Sequence, residues 1–147
     1  MGNANIGKST TVRALTGMQN KRSGRNWKIA STKSGKTEFC VLGTSLQEIP
    51  ISQEDFVKKY KNHKNILLTL RINPSRYNGC GADYVQHFVK CGWNISEIVL
   101  LIEEDKPQGI RNTLQNIREL PIPLVIAPQI QAANAIAGII RKRWNWL

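Results

Sequence analysis

Short apolar segments alternate with segments of helical pattern through most of the chain, and this alternation constrains the fold more than any other feature. Three segments have the length and apolar content of buried strands, namely 65–72, 96–104 and 123–127. The segments with apolar residues at helical spacing are 52–62, 82–92, 107–120 and 131–144. Strands that alternate with helices predict an α/β fold, in which helices cover both faces of a mostly parallel sheet.

The region between residues 27 and 43 predicts two antiparallel strands at the edge of this sheet. WKIAS (27–31) and TEFCVLG (37–43) flank TKSGK, in which Ser34 and Gly35 suit a tight turn. We therefore expect one β-hairpin beside the parallel strands.

Some helix ends and one helix face can be placed from single residues. The first helix is expected from Ser9 to about Thr16, and Gly17 suits its end. Ser52 is the expected N-cap of the next helix, because acidic residues follow it in the first turn. In the segment 82–92, the residues with the spacing of a core-facing stripe are Val85, Phe88 and Val89.

The first ten residues, MGNANIGKST, match the pattern G-x-x-x-x-G-K-[ST] at every specified position. In a loop of this kind, backbone N–H groups converge on anionic oxygens at the start of a helix. Gly7 allows close approach of the backbone, Lys8 reaches the β- and γ-phosphates, and the Ser9 hydroxyl ligates Mg²⁺. The motif predicts Mg²⁺ and GTP or ATP as cofactors, bound by Gly2, Asn5, Ile6, Gly7, Lys8, Ser9 and Thr10.

The stretch GNANIGKSTTVRALTG resembles the opening of translation-factor-related GTPases, in which a phosphate loop leads into a short helix ending in L-[TS]-G. The order of strands and helices is similar to that family over nearly the whole chain. The resemblance implies a single P-loop NTPase-like domain, residues 1–147, whose fold is a three-layer sandwich with a mostly parallel sheet and one antiparallel edge hairpin. It also implies nucleotide binding, with weak hydrolysis of the nucleoside triphosphate as a further expectation.

The other GTPase motifs are altered in this sequence. The D-x-x-G motif of the family corresponds to Gly43 at the Asp position and Leu46 at the Gly position. Gln47 falls where many small GTPases carry the glutamine that positions water, so the resemblance implies Lys8 and Gln47 as catalytic residues. Thr32 is the candidate switch threonine. The stretch LLIEEDK stands where the guanine-selective N-K-x-D motif is expected, which leaves the choice between GTP and ATP open.

Two other sites of chemistry are consistent with the sequence. EIVLLIEED (97–105) resembles the Walker B strand of ATPases, whose carboxylates bind Mg²⁺ through water, although these acids also suit the start of the following helix. A nucleoside or nucleotide kinase is the second alternative, because Arg71 and Arg76 could clamp phosphates.

The net charge of +11 and the pI near 10 indicate a surface that attracts nucleic acid, acidic proteins or anionic lipid. The cations are concentrated in residues 21–36 and at 141–143, where Trp144 and Trp146 follow. A non-catalytic basic domain that contacts nucleic acid or a protein partner is therefore an alternative function. An ordinary solvated surface, with the tryptophans docking the last helix, explains the same residues.

The sequence contains neither an apolar run of the ~20 residues that cross a bilayer nor a recognisable signal peptide. Cys40, Cys80 and Cys91 lack C-x-x-C spacing and are expected to be reduced thiols. These features predict a cytoplasmic protein, and the oligomeric state is not indicated.

Only Met1 precedes the phosphate-loop motif, whereas in the fold that it resembles a central strand leads into the loop. The chain could continue upstream, another segment or chain could fill the position, or the sheet could be rearranged. For the chain as given we expect a gap in the sheet or a disordered phosphate loop, because each buried backbone group without a partner costs about 1–3 kcal/mol.

Overall fold

The computed structural model describes residues 1–17, 25–31, 35–74, 78–102, 115, 117, 120–128 and 132–146. The described helices are α1 (Lys8–Thr16), α2 (Gln53–Tyr60), α3 (Gly81–Lys90) and α4 (Ala133–Arg143). The described strands are β1 (Arg25–Ser31), β2 (Gly35–Ser45), β3 (Ile66–Thr69), β4 (Ile98–Ile102) and β5 (Leu124–Pro128), and a 3₁₀ turn at Leu46–Glu48 follows β2. The helix expected over 107–120 lies outside the described residues, apart from Gln115 and Ile117, which are helical.

The strands form two groups, and each group contains a parallel pair. β2 runs parallel to β3, and β4 runs parallel to β5. β1 runs antiparallel to β2, with Arg25 opposite Val41, while residues 32–34 between these strands lie outside the described residues. Parallel strand pairs in a chain of alternating strands and helices confirm the predicted α/β class.

Gly2 links the two groups of strands. It forms one parallel bridge with Arg71, just after β3, and another with Leu101 in β4. Its N–H donates to the Leu70 carbonyl at 3.1 Å, and its carbonyl accepts from the Ile72 N–H at 3.2 Å. Across the described strands the order is therefore β1, β2, β3, the first residues of the chain, β4 and β5.

Helices cover both faces of the strands. α1 and α4 pack together on one face, where Leu15 and Ile136 meet Leu101 of β4. α2 and α3 lie on the other face, where Phe56 packs in the same cluster as Ile98 of β4. Because successive side chains of a strand point to opposite faces, β4 contributes to both cores.

The helix ends predicted from capping residues are confirmed. Gly17 ends α1 with φ of 70°, a left-handed conformation that glycine adopts readily, and its N–H donates to the Arg13 carbonyl at 2.8 Å. Ser52 begins α2, because its Oγ accepts the Asp55 N–H at 3.0 Å.

The prediction that Val89 belongs to the core is wrong. Val85 and Phe88 are buried, whereas Val89 is 37% exposed. Tyr84 is fully buried and moves the core-facing stripe of α3 toward its own side of the helix. Val89 therefore lies at the edge of that stripe, in the last turn of α3.

In the parts of the chain that the structure describes, every helix is too short or too polar to cross a membrane. The cysteines are free thiols: Cys40 is buried, Cys80 is half-buried and Cys91 is exposed.

Candidate functional site

The phosphate-loop motif is anchored because the chain begins inside the sheet. The Met1 carbonyl accepts from the Leu101 N–H at 2.8 Å, and the terminal ammonium donates to the Val99 carbonyl. Burial, together with the positive charge of Lys8, lowers the pKa of that ammonium from 8.0 to about 5. Of the two outcomes expected for this region, the structure shows the loop held between β3 and β4, with a cavity beside it.

Gly7 directs the loop into α1. Its φ of 88° lies in the left-handed region, and a Cβ built on it meets no atom within 4 Å. No described side chain caps the start of α1. The N–H groups of the first helical turn therefore have no capping partner there, which is the arrangement in which helix N-termini bind anions.

Lys8 is buried and bends back over the loop, with only 8% of its surface exposed. Its Nζ donates to the Gly2 carbonyl at 2.9 Å and also to the Asn3 carbonyl. Burial lowers the pKa of Lys8, the positive charge of Arg71 lowers it further, and Glu48 acts in the opposite direction. An anion at the loop would give the ammonium a charged partner in place of neutral carbonyls.

Ser9 reaches the position that corresponds to the aspartate of the D-x-x-G motif. Its Oγ donates to the Gly43 carbonyl at 2.7 Å, and Thr69 Oγ1 donates to the same oxygen at 3.3 Å. The structure therefore brings Ser9 and Gly43 together, but Gly43 supplies no carboxylate.

The donors at Ser9 do not fit a protein-bound Mg²⁺. Mg²⁺ is usually held by one or two carboxylates together with ligand phosphates and water. Ser9 offers a hydroxyl and Gly43 a carbonyl, and the carboxylate of Glu48 is paired with Arg71. Within the described ranges, no three His, Cys, Asp or Glu side chains come together as a metal site.

Gln47 is buried, with 1% of its surface exposed, and its amide is bonded to the backbone of Arg71. Nε2 donates to the Arg71 carbonyl at 2.9 Å, and Oε1 accepts the Arg71 N–H at 3.0 Å. These are the two bonds that a neighbouring strand would make, so Gln47 continues the pairing beyond the end of β3. Its role in positioning water stays a prediction.

The remaining predicted ligands divide between core and surface. Ile6 is a core residue at 4% exposure, whereas Asn5 and Thr10 are exposed. Gly2 is required by packing, because a Cβ there would lie 2.5 Å from Ile6 Cγ2 and 3.0 Å from the Leu101 carbonyl oxygen. Loop residues 2–9 are thus together at one place, as the motif predicts.

Sequence reasoning missed several polar groups of the site. Asn73 Nδ2 donates to Asn3 Oδ1 at 3.2 Å, and Arg71 Nε lies 3.0 Å from Glu48 Oε1 in an ion pair that lacks hydrogen-bond geometry. Arg71 and Asn73 directly follow β3, and the carboxyl ends of parallel strands are where ligands bind in α/β sheets. That signal could have identified both residues, while nothing in the sequence marks Asn3 or Glu48.

Several sequence-based interpretations fall outside the described part of the chain. Thr32, Arg76 and the acidic residues 103–105 are not described, nor are the side chains of the basic cluster at 21–36. The Walker B alternative and the switch threonine therefore stay predictions.

The basic and aromatic residues near the end of α4 make internal contacts. Arg141 donates to two backbone carbonyls at the end of α1. Glu97 accepts from Arg143 Nε at 2.8 Å and from Trp144 Nε1 at 2.6 Å. Trp146 is buried in the core between α1 and α4. These contacts dock α4 onto the rest of the fold.

Comparisons with family models, with curated proteins and with solved structures found no match to this chain. The loop and its contacts are therefore the basis for inferring function.

Proposed function

We propose that this chain is a P-loop NTPase-like domain that binds the phosphate chain of a purine nucleotide, GTP or ATP, at residues 2–9. The observation that carries the proposal is the buried Lys8 ammonium, bonded to the carbonyls of Gly2 and Asn3 beside the uncapped start of α1. A buried cation with a lowered pKa gains free energy when an anionic oxygen replaces a neutral partner.

The arrangement of the elements supports this class of domain. The loop starts between two strands, to which Gly2 pairs in parallel, and leads directly into α1. Helices on both faces of the strands are consistent with a three-layer sandwich. Gly43 and Arg71, at the carboxyl ends of β2 and β3, border the loop, and this edge of an α/β sheet is where phosphate ligands bind.

Binding is the function that these residues support, because the groups expected for hydrolysis are engaged or replaced. The Gln47 amide is bonded to the Arg71 backbone, and Gly43 stands where the family has a metal-binding carboxylate. The stretch that corresponds to the base-selective motif lies largely outside the described residues, so both GTP and ATP are candidate ligands.

Isothermal titration calorimetry and thermal unfolding with ATP, GTP and inorganic triphosphate test the proposal, each with and without Mg²⁺. We expect the nucleotides to raise the Tm of the wild-type protein and Lys8→Met to weaken binding at least about tenfold, since the charge-assisted contact is lost. Inorganic triphosphate separates recognition of the phosphates from recognition of the base.

Lys58→Met is the matched control, because it removes an exposed lysine of α2 and changes the net charge equally. Lys8→Met should also raise the Tm of the unliganded protein, since it removes a buried charge. No shift of the Tm and no binding heat with any of the three ligands would overturn the proposal. Salt-sensitive RNA or DNA binding in that case, unchanged in Lys8→Met, would favour the basic interaction domain.

A further inference from the structure

A cavity of about 700 Å³ lies between β3 and β4, beside Met1, and we call it the slot. Every residue of β3 lines it, and so does the segment 94–99 that leads into β4. Leu15 and Ile140 line it from the α1–α4 face, and Val85 and Phe88 line it from the α3 face. Protein interiors are normally packed without voids of this size, so the slot is a place for another group.

Backbone groups of β3 and β4 face each other across the slot. In a parallel sheet, successive residues direct their N–H and C=O groups to neighbours on alternate sides. The Asn65 carbonyl is bonded to β2 and the Leu70 carbonyl to Gly2, so the even-numbered residues of β3 point into the slot. The Ile98 N–H is bonded to Pro123, on the β5 side, so the odd-numbered residues near β4 point into the slot.

Met1 and Gly2 already occupy one end of the slot as a strand. Gly2 bonds to residues after β3, and Met1 bonds to Val99 and Leu101 of β4. The terminal ammonium is buried at this point, and burial lowers its pKa to about 5. An amide N–H in its place would make the same bond to Val99 without burying a charge.

We infer that the slot is an acceptor site for one extended, apolar β-strand of about five residues, running parallel to β3 and β4 and joined through its carboxyl end to Met1. The length follows from β3 and its flanking residue at about 3.3 Å per residue. The residue joined to Met1 donates to the Leu68 carbonyl and accepts from the Leu70 N–H. The residue before it donates to the Glu97 carbonyl and accepts from the Val99 N–H.

The walls of the slot determine the composition of this strand. Apolar side chains line it from both helix layers, so residues that point to either face must be apolar. The Glu97 carboxylate is already bonded to Arg143 and Trp144. A small apolar molecule would fill the volume but would leave the N–H and C=O groups of two strand edges without partners, whereas a strand bonds both edges.

Three forms of the full chain test this inference, each fused behind the same soluble carrier domain. The first form carries five valine and isoleucine residues directly before Met1, the second has prolines at the second and fourth of these positions, and the third has a Gly/Ser linker. Proline cannot donate the N–H that the pairing requires. All three forms replace the terminal ammonium by an amide, so they differ only in the strand.

We expect the apolar strand to raise the Tm by about 10 °C over the Gly/Ser form. We also expect it to slow hydrogen exchange of the Leu68, Leu70 and Val99 amides at least about 100-fold. The Ile98 amide, which is already bonded to Pro123, serves as the internal reference. Nucleotide is absent from these experiments, so the result is independent of the proposed function.

Equal exchange at Leu68, Leu70 and Val99 in the three fusions would overturn the inference. An equal gain in Tm with the proline-containing extension would also overturn it, because backbone pairing would then not be the cause. The apolar peptide added in trans to the Gly/Ser form, at a concentration equal to that of the protein, tests the covalent joining. Protection as strong as in the first fusion would overturn the assignment of a strand joined to Met1.

Discussion

The carbonyl of Gly43 accepts hydrogen bonds from two hydroxyl groups, Ser9 Oγ at 2.7 Å and Thr69 Oγ1 at 3.3 Å. A Cβ built on Gly43 meets no atom within 4 Å, and its φ lies outside the left-handed region. The position therefore has room for a side chain next to the predicted phosphate loop. What this position lacks for holding Mg²⁺ is a carboxylate and not space.

Gly43→Asp is expected to make nucleotide binding dependent on Mg²⁺. The new carboxylate would share Mg²⁺ with the ligand phosphates, and without the metal it would repel them. We expect affinity in Mg²⁺ to exceed affinity in EDTA by about tenfold or more in this variant, with a small difference in the wild type. Calorimetric titration of ATP and GTP in the two buffers measures this.

Gly43→Asn is the control for Gly43→Asp, since it adds a side chain of equal size without the charge. If Asn and Asp give the same ratio of affinities in Mg²⁺ and EDTA, then the side chain at position 43 does not reach the metal, and the correspondence with the family's aspartate fails.

Two helices on the same face are joined through Arg141 of α4. Its guanidinium donates to the Leu15 carbonyl at 2.9 and 3.1 Å and to the Ala14 carbonyl at 2.7 Å. Carbonyls at the end of a helix have no partner within the helix and carry partial negative charge, so a cation there is favourable. Arg141 thus completes α1 and fixes α4 against it.

Arg141→Gln is expected to lower the free energy of unfolding by about 1–2 kcal/mol, because the carbonyls of α1 lose a charged donor. Urea unfolding followed by circular dichroism measures the change. Lys142→Gln removes the same charge from the adjacent, exposed position and should cost much less. Equal losses in the two variants would show that the contacts of Arg141 do not matter for stability.

At the scale of helices and strands, the sequence predicts what is decided locally. Gly17 and Ser52 mark helix ends because a left-handed residue and a capping hydroxyl act within one turn. The pairing of Gln47 with the backbone of Arg71 joins residues 24 positions apart, and no local pattern encodes it. Val89 shows the same limit, since its exposure depends on which side of α3 the strands cover.

For the whole molecule, the described connection between the two groups of strands is made by Met1 and Gly2. Strand identity and parallel pairing could be predicted from apolar segments and alternating helices. The direct pairing of β2 with β3, and the entry of the chain between β3 and β4, could not be predicted, because strand order is set by tertiary contacts. The loop residues were predicted by the motif, and their anchoring was not.

The buried terminal ammonium should make stability depend on pH. Its pKa falls from 8.0 to about 5 on folding, so between these values the unfolded chain binds more protons than the folded chain. Stability should therefore be highest above pH 8 and decrease toward pH 5, by up to about 4 kcal/mol from this group. Urea unfolding of the 147-residue chain at both pH values measures the decrease.

Nα-acetylated protein is the reference for this measurement, because acetylation removes the ionisable amine and leaves the carboxylates and histidines to titrate as before. The acetylated chain should lose less stability between pH 8 and pH 5 than the unmodified chain. Parallel decreases in the two forms would mean that the amine is solvated in the folded protein.

The carbonyl oxygen of Gly2 takes part in both the loop and the sheet, since it accepts from Lys8 Nζ at 2.9 Å and from the Ile72 N–H at 3.2 Å. A ligand that draws Lys8 away changes the bonding of the oxygen that holds β3 to the start of the chain. Phosphate binding and strand binding in the slot are then thermodynamically coupled through one atom. By reciprocity, whatever factor a strand contributes to the affinity for phosphate, phosphate must contribute to the affinity for the strand.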